Sequence, residues 1–154
     1  MEKVDYLLMA RQLSSLIEED GDCLPVLSNC SALLWENLKD INWAGFYLVR
    51  GDVLVLGPFQ GKLACIHIEK GKGVCGTAWE TDSTQLVANV HEFPGHIACD
   101  SASNSEVVVP VRRDGEVVAV IDIDSPMFGR FSSEDAEGLE KIADLLGSRV
   151  VWPE

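Results

Sequence analysis

Basic residues are scarce in this sequence of 154 residues, since 12 Lys and Arg stand against 25 Asp and Glu for a net charge of −13. A surface this acidic repels phosphate backbones and anionic lipid, so nucleic acid and membrane surfaces are poor partners. No window holds about 18 consecutive apolar residues, which excludes a membrane-spanning helix. The first residues lack the basic and then apolar segment of a secretory signal, and we therefore expect a cytoplasmic protein.

The sequence also lacks an even number of cysteines. Five are present, and an odd number without an export signal does not suit a permanent disulfide framework. Their spacing matches no familiar metal site. Cys30 lies on an apolar helical stripe and is interpreted as a core residue, while Cys23 belongs to no motif. Cys65, Cys75 and Cys99 remain as candidates for three unrelated small residues or for reactive thiols.

Apolar periodicity predicts an α+β fold in one domain that spans residues 1–154. The sequence shows no internal repeat and no linker. We expect an antiparallel sheet with helices on one face. The predicted elements are helices over 3–19 and 25–39, strands over 41–49, 53–59 and 63–68, a short helix over 74–81, a hairpin of 105–112 with 116–124, and a final helix capped by Ser132 or Ser133.

The long connection at 91–106 is the most distinctive stretch, because a loop of this length in a compact domain is usually functional or disordered. Phe93 and Ile97 give it apolar side chains to pack, so we expect an ordered loop that presents Cys99. His96 lies close by in the sequence, which suits an activated thiol. Cys65 is placed on the third strand, where it would be rigid enough to react with an oxidised Cys99. Cys75 is placed in the first turn of a helix, whose dipole would lower its pKa.

Three acidic residues are candidates for a single site on the hairpin. A two-residue turn at 114–115 would pair Glu106 with Ile123, whereas a three-residue turn with a bulged Gly115 would pair Glu106 with Asp122. We predict the three-residue turn, because it gathers Glu106, Asp122 and Asp124 on one face. Clustered acids would bind an ammonium group and would raise the pKa of one member. The alternative is that they are solvent-facing residues at a strand end.

Two further groups have a weaker basis in the sequence. His67, His91 and His96 could bind zinc together with Cys65 and Cys99, but no closed pattern of four ligands is present, and we predict no metal and no cofactor. Trp43 and Tyr47 share a strand face. They are core residues or an aromatic wall for a small cation with an apolar end.

Several segments together resemble the free methionine-(R)-sulfoxide reductases, a family with a GAF domain. The similarity covers nearly the whole chain, and the loop around Cys99 is its most specific part. The matching segments are HEFPGHIACD at 91–100, SNSE at 103–106, GKGVCGTAW at 71–79, NWAGFY at 42–47, LGPFQG at 56–61 and VAVIDIDS at 118–125.

The resemblance implies a GAF-like sheet of about six strands and the reduction of free L-methionine (R)-sulfoxide, with thioredoxin as the electron donor. It implies that Cys99 is the catalytic cysteine, that Cys65 is the resolving cysteine and that Cys75 is an alternate. Trp43, Tyr47 and the three acids, Glu106, Asp122 and Asp124, line the substrate site by the same likeness. Homodimers are common among GAF domains, so the resemblance leaves a homodimer open.

A chemical sequence follows from these roles as a hypothesis. Cys99 attacks the sulfoxide sulfur, a protonated acid delivers a proton to the departing oxygen, and Cys99 becomes a sulfenic acid. Glu106 is the first choice for that acid and Asp124 the second, while Asp122 holds the ammonium group. Cys65 then forms a disulfide that thioredoxin reduces. The alternative function is a GAF-type sensor that binds a small ligand without chemistry.

Overall fold

The computed structural model describes residues 3–96 and 101–153. Over these residues the chain forms a six-stranded antiparallel sheet with the strand order β3-β2-β1-β6-β5-β4, and the predicted α+β fold with a sheet of about six strands is confirmed. The elements are α1 (Tyr6–Glu19), α2 (Cys23–Asn37), β1 (Trp43–Arg50), β2 (Val53–Gly61), β3 (His67–Glu69), α3 (Gly73–Thr81), β4 (Gln85–Val87), a 3-10 helix (Val90–Glu92), β5 (Ser105–Arg113), β6 (Glu116–Ser125) and α4 (Ser133–Arg149).

The helix starts are set by side chains that accept hydrogen bonds from free backbone amides. Asp5 caps α1 by accepting from the Leu8 amide at 2.9 Å, which explains why this helix begins at Tyr6 and not at residue 3. Ser132 and Asp135 form a capping box at the start of α4, as the sequence predicts for one of the two serines. Among the helices of the described residues, none is long and apolar enough to cross a bilayer.

The sheet has two covered faces, and they differ in character. Three helices, α1, α2 and α4, pack an apolar core against one face through residues such as Leu13, Leu27 and Leu139. The fourth helix, α3, packs Val74 and Ala78 against the opposite face. The prediction that the helices cover one face is therefore wrong for α3. This helix encloses the face on which the acidic residues lie.

The register of the β5–β6 hairpin decides where those acids point. Asp114 and Gly115 have φ values of 54° and 82° and form a two-residue turn, so Arg113 pairs with Glu116. The predicted three-residue turn with a bulge at Gly115 is wrong.

The acids nevertheless share a face, because a bulge lies further along the hairpin. Arg112 pairs with Val117 and Val111 pairs with Ala119, which leaves Val118 as an extra residue on β6. That residue shifts the register by one, and Glu106 therefore pairs with Asp124. Asp122 lies two residues from Asp124 and projects from the same face.

Candidate active site

A row of side chains crosses the sheet where β5 begins and β6 ends. Trp43 on β1 pairs with Asp124, and Asp124 pairs in turn with Glu106. Asp122 faces Gly45 on β1, a residue with no side chain of its own. Glu106 and Asp122 are each 6% exposed, so the predicted solvent-facing alternative is wrong for these two acids.

Gly45 is required because another side chain occupies its place. A Cβ atom there would lie 2.3 Å from Cβ of Phe59 on β2. Phe59 instead stacks on Trp43 with ring centroids 5.1 Å apart, and Trp43 stacks on Tyr47 at 5.9 Å. The three rings form an aromatic wall beside the acids, and both Trp43 and Tyr47 line the same pocket as the acids.

The aromatic wall also holds the loop that contains Cys65. The Trp43 indole nitrogen donates to the Lys62 carbonyl at 3.2 Å, and the Tyr47 hydroxyl donates to the Cys65 carbonyl at 2.9 Å. β3 begins only at His67, so the prediction that Cys65 lies on a strand is wrong. The backbone of its loop is instead held by these side-chain hydrogen bonds. Cys65 is disulfide-bonded, whereas Cys23, Cys30 and Cys75 are free thiols.

Cys75 lies in the first turn of α3, as predicted, but its chemistry differs from the prediction. Its sulfur and the carboxylate oxygens of Glu106 and Asp122 all lie within 4.8 Å of one another. Burial and then the negative charges of Asp122, Glu106 and Asp124 raise the pKa of Cys75 well above its usual value. The predicted lowering of this pKa is wrong, because desolvation and three carboxyl groups outweigh the dipole of a nine-residue helix. Cys75 is a thiol that donates a hydrogen bond to Asp122.

The acids divide into one that holds a proton and one that accepts hydrogen bonds. Burial and then the charges of Asp122 and Asp124 raise the pKa of Glu106 well above its usual value. Burial also raises the pKa of Asp122, but hydrogen bonds with Glu106 and Cys75 oppose that effect. We therefore assign the proton to Glu106 and the charge to Asp122. Asp122 Oδ1 is buried and has no hydrogen-bond partner among the described residues.

A buried anionic oxygen without a partner is costly, which indicates that a ligand completes this site. The ligand has to supply a donor, and a positive charge would satisfy Asp122 best. The aromatic wall suits an apolar group on the same ligand. Lys72 also lines the pocket, next to the first residues of α3, Gly73 and Val74. A lysine and a helix start favour an anionic group there.

Comparison with known proteins identifies the family. A GAF-domain model matches residues 26–150. The free methionine-R-sulfoxide reductase of Escherichia coli (strain K12) is 52% identical over 137 residues, which cover 89% of this chain and 83% of that protein. The chain belongs to the free methionine-R-sulfoxide reductase family. Its GAF domain is thus of the reductase type.

Solved structures of this reductase family share the fold closely. The reduced form of fRMsr of Staphylococcus aureus superposes with a TM-score of 0.93 at 49% identity, and the match covers 97% of each chain. The free methionine-R-sulfoxide reductase from Neisseria meningitidis, solved in complex with its substrate, gives a TM-score of 0.90 at 41% identity over 97% of this chain and 92% of that one.

The histidines do not gather as the zinc alternative requires. His67 is exposed on β3, and His91 pairs its Nε2 with Asn104 Oδ1 at 2.8 Å. His96 lines the pocket, and burial lowers its pKa. Within residues 3–96 and 101–153, the one group with metal-ligand spacing is Cys75, Glu106 and Asp122, which contains no histidine. The predictions for Cys99 concern the segment 97–100, which lies outside the described residues.

Two polar residues that line the pocket, Lys72 and Ser103, escape the sequence-based prediction. Lys72 is one, although the segment Gly71-Lys72-Gly73 ahead of a helix could have indicated a basic side chain at a helix start. Ser103 is the other, and its Oγ accepts a hydrogen bond from the Asn42 side-chain amide at 3.1 Å. Ser103 is buried and lines the pocket. Its position in the loop before β5 gives no local signal of burial.

Proposed function

We propose that this protein reduces free L-methionine (R)-sulfoxide to methionine, with electrons from a thioredoxin. The observation that carries the proposal is the buried cluster of Glu106, Asp122 and Cys75, in which Asp122 Oδ1 lacks a partner among the described residues. A free amino acid supplies the missing ammonium group. Membership of the reductase family supports the same substrate.

The substrate has four groups to be recognised, and the pocket offers a complement to each. The α-ammonium group binds Asp122, with Asp124 beside it on the same strand face. The α-carboxylate lies toward Lys72 and the start of α3, where a positive side chain and the helix dipole favour an anion. The S-methyl group packs against Trp43 in the aromatic wall. The sulfoxide oxygen then faces Glu106.

Glu106 is the proton donor in this scheme. The Cys99 thiolate attacks the sulfoxide sulfur while Glu106 protonates the oxygen, and the products are methionine and a Cys99 sulfenic acid. The sulfur of methionine is reduced by two electrons and the Cys99 sulfur is oxidised by two. Asp124, next to Glu106 across the strands, is the alternative donor.

Cys65 is the resolving cysteine in the next step. Its thiolate attacks the Cys99 sulfenic acid, a disulfide forms and water leaves. The disulfide-bonded state of Cys65 and the free thiol of Cys75 support this choice. Cys75, the alternate, has a raised pKa and a hydrogen bond to Asp122, so it serves better as a fixed donor in the substrate site.

Thioredoxin is the electron donor in this scheme, because its exposed dithiol exchanges with protein disulfides. Such dithiols are kept reduced in the cytosol, so we also infer a cytoplasmic location.

The test compares free methionine sulfoxide with its N-acetylated form. Acetylation removes the positive charge, so Asp122 would stay buried without a donor, and for a charged group this costs about 3 kcal/mol or more. We expect kcat/KM for the acetylated substrate to fall by at least about 100-fold. Equal rates on the two substrates would refute the ammonium site.

Separated R and S sulfoxides in the same assay, with dithiothreitol as reductant, test the stereochemistry. Methionine release from the R form alone is expected. A protein that binds the sulfoxide but releases no methionine would be a sensor, and this outcome would refute the proposed reaction.

A further inference from the structure

Two large apolar side chains flank Cys65 and are turned to solvent. Leu63 is 91% exposed and Ile66 is 65% exposed, while Cys65 between them is half-buried. Leu63 is the most exposed of the large apolar residues that the structure describes. Apolar residues concentrated beside a reactive bond mark an interaction site better than the same residues scattered singly.

The backbone that carries these side chains is fixed from inside the protein. The carbonyls of Lys62 and Cys65 accept the hydrogen bonds from Trp43 and Tyr47, and the Ile66 carbonyl accepts from the Leu56 amide at 2.9 Å. The loop is therefore held through its backbone and not through the side chains of Leu63 and Ile66. A fixed backbone with exposed apolar side chains is preorganised for binding.

The segment of the chain that contains this loop differs in charge from the sequence as a whole. The chain has a net charge of −13, yet residues 53–79 contain three lysines, Lys62, Lys70 and Lys72, and a single acid, Glu69. Lys62 precedes Leu63 directly. A partner with carboxylates around an apolar centre is thus attracted to this loop and repelled by the remaining surface.

We propose that Lys62, Leu63 and Ile66 form the docking surface for the dithiol reductase that reduces the Cys65 disulfide, an inference that rests on the proposed function. The partner is of the thioredoxin class: it presents a reactive thiolate within an apolar surface and carboxylates at the rim. The docking surface, defined as these three residues, brings that thiolate to Cys65.

The reduction proceeds by two exchanges at this surface. The reductase thiolate attacks the Cys65 sulfur, which breaks the Cys65 disulfide and releases the other cysteine of that disulfide as a thiolate. A mixed disulfide between the reductase and Cys65 is the intermediate. The second thiol of the reductase then displaces Cys65. The reductase leaves as a disulfide, and two electrons and the protons of its two thiols pass to this protein.

Ile66→Ser is the decisive variant, because Ile66 does not line the substrate pocket. Leu24→Ser is its matched control: Leu24 is 66% exposed on α2, far along the chain from Cys65. With a bacterial thioredoxin, thioredoxin reductase and NADPH, we expect Ile66→Ser to lower kcat/KM for thioredoxin by about fivefold to tenfold. The same variant should keep its rate with dithiothreitol, and Leu24→Ser should match the wild type with both reductants.

Lys62→Glu tests the charge contribution separately. We expect a lower kcat/KM for thioredoxin and a weaker dependence on ionic strength than the wild type shows, because an attraction has been removed. A thioredoxin whose second cysteine is replaced by serine should form a mixed disulfide with wild-type Cys65. Peptide mass spectrometry identifies that bond.

The outcomes separate this proposal from the proposed function. If Ile66→Ser keeps the wild-type kcat/KM for thioredoxin, or if thioredoxin is trapped on another cysteine, the docking surface is refuted while dithiothreitol-dependent methionine release still stands. If sedimentation shows that Ile66→Ser dissociates a dimer, the surface is an interface between copies of this chain and the proposal is refuted. Absence of methionine release from the wild type with every reductant refutes the proposed function itself.

Discussion

Replacing Glu106 by glutamine should lower the rate of the reaction without destabilising the fold. The two side chains have the same shape, and glutamine can still donate a hydrogen bond to Asp122. It has no acidic proton to give to a departing oxygen. General acid catalysis contributes about 100-fold to 10,000-fold to a rate, so kcat should fall by that factor while KM changes little.

The same substitution should raise the free energy of unfolding at alkaline pH. Burial raises the pKa of Glu106 above its ordinary value of 4.5. Between that value and the raised folded pKa, the folded protein binds more protons than the unfolded chain, so the stability of the wild type falls as pH rises. Each unit of difference between the two pKa values removes about 1.4 kcal/mol at high pH. Glu106→Gln does not lose stability in this way. The difference in free energy of unfolding between this variant and the wild type should therefore grow with pH.

Urea denaturation at several pH values and steady-state turnover at the same values provide the measurements. The control is Glu116→Gln, which removes an exposed acid at the start of β6 and should change neither quantity. The reasoning is refuted if Glu106→Gln keeps the wild-type kcat. It is refuted equally if the stability of the two proteins runs parallel from pH 5 to pH 9.

Three further substitutions test other parts of the site. Cys65→Ser should release about one methionine per protein molecule and then stop, because the sulfenic acid has no partner; rapid-quench analysis measures this burst. Tyr47→Phe should lose the hydrogen bond to the Cys65 carbonyl, lower the stability by about 0.5–1.5 kcal/mol in urea and slow disulfide formation in a thiol-counting assay. Gly45→Ala should cost about 1–3 kcal/mol in the same denaturation experiment, because its new methyl group would meet Phe59 at 2.3 Å.

The results that would contradict these predictions are specific. Full multiple turnover by Cys65→Ser would move the resolving role to Cys75. Unchanged disulfide formation in Tyr47→Phe would mean that the hydroxyl does not position the loop. Gly21→Ala is the control for Gly45→Ala, since a Cβ atom added at Gly21 makes only ordinary contacts, the nearest at 3.5 Å. An equal loss of stability at both positions would show that the contact with Phe59 is not the cause.

The helices and most strands follow from local patterns, because apolar spacing and capping residues act within a few positions of each other. β4 (Gln85–Val87) is harder to predict, since three residues carry too little periodicity and the strand is fixed by its pairing with β5. The side of the sheet on which α3 lies also depends on distant contacts. For that reason the pattern of 74–81 predicts a helix but not the face of the sheet on which the helix packs.

The acids of the site illustrate the same limit. Their presence on one face is correctly predicted, yet through the wrong turn, because no local signal marks Val118 as an extra residue in a run of valines. The prediction of a lowered pKa for Cys75 fails for a related reason. A helix start is visible in the sequence, but the three carboxyl groups that surround the thiol come from β5 and β6 and are brought there by the sheet.

The bulge at Val118 has a consequence for engineering and for natural insertions and deletions. The two-residue turn at Asp114 and Gly115 is exchangeable for another turn of the same length, since the site does not depend on its side chains. The same sequence in an unbroken ladder, with Val118 opposite Val111, would place Glu106 opposite Ile123. The acids would then separate onto opposite faces without the loss of any of them. A deletion of Val118, by contrast, would leave Val111 opposite Ala119 and Glu106 opposite Asp124, so the site depends on the pairing beyond the bulge and not on the extra residue itself.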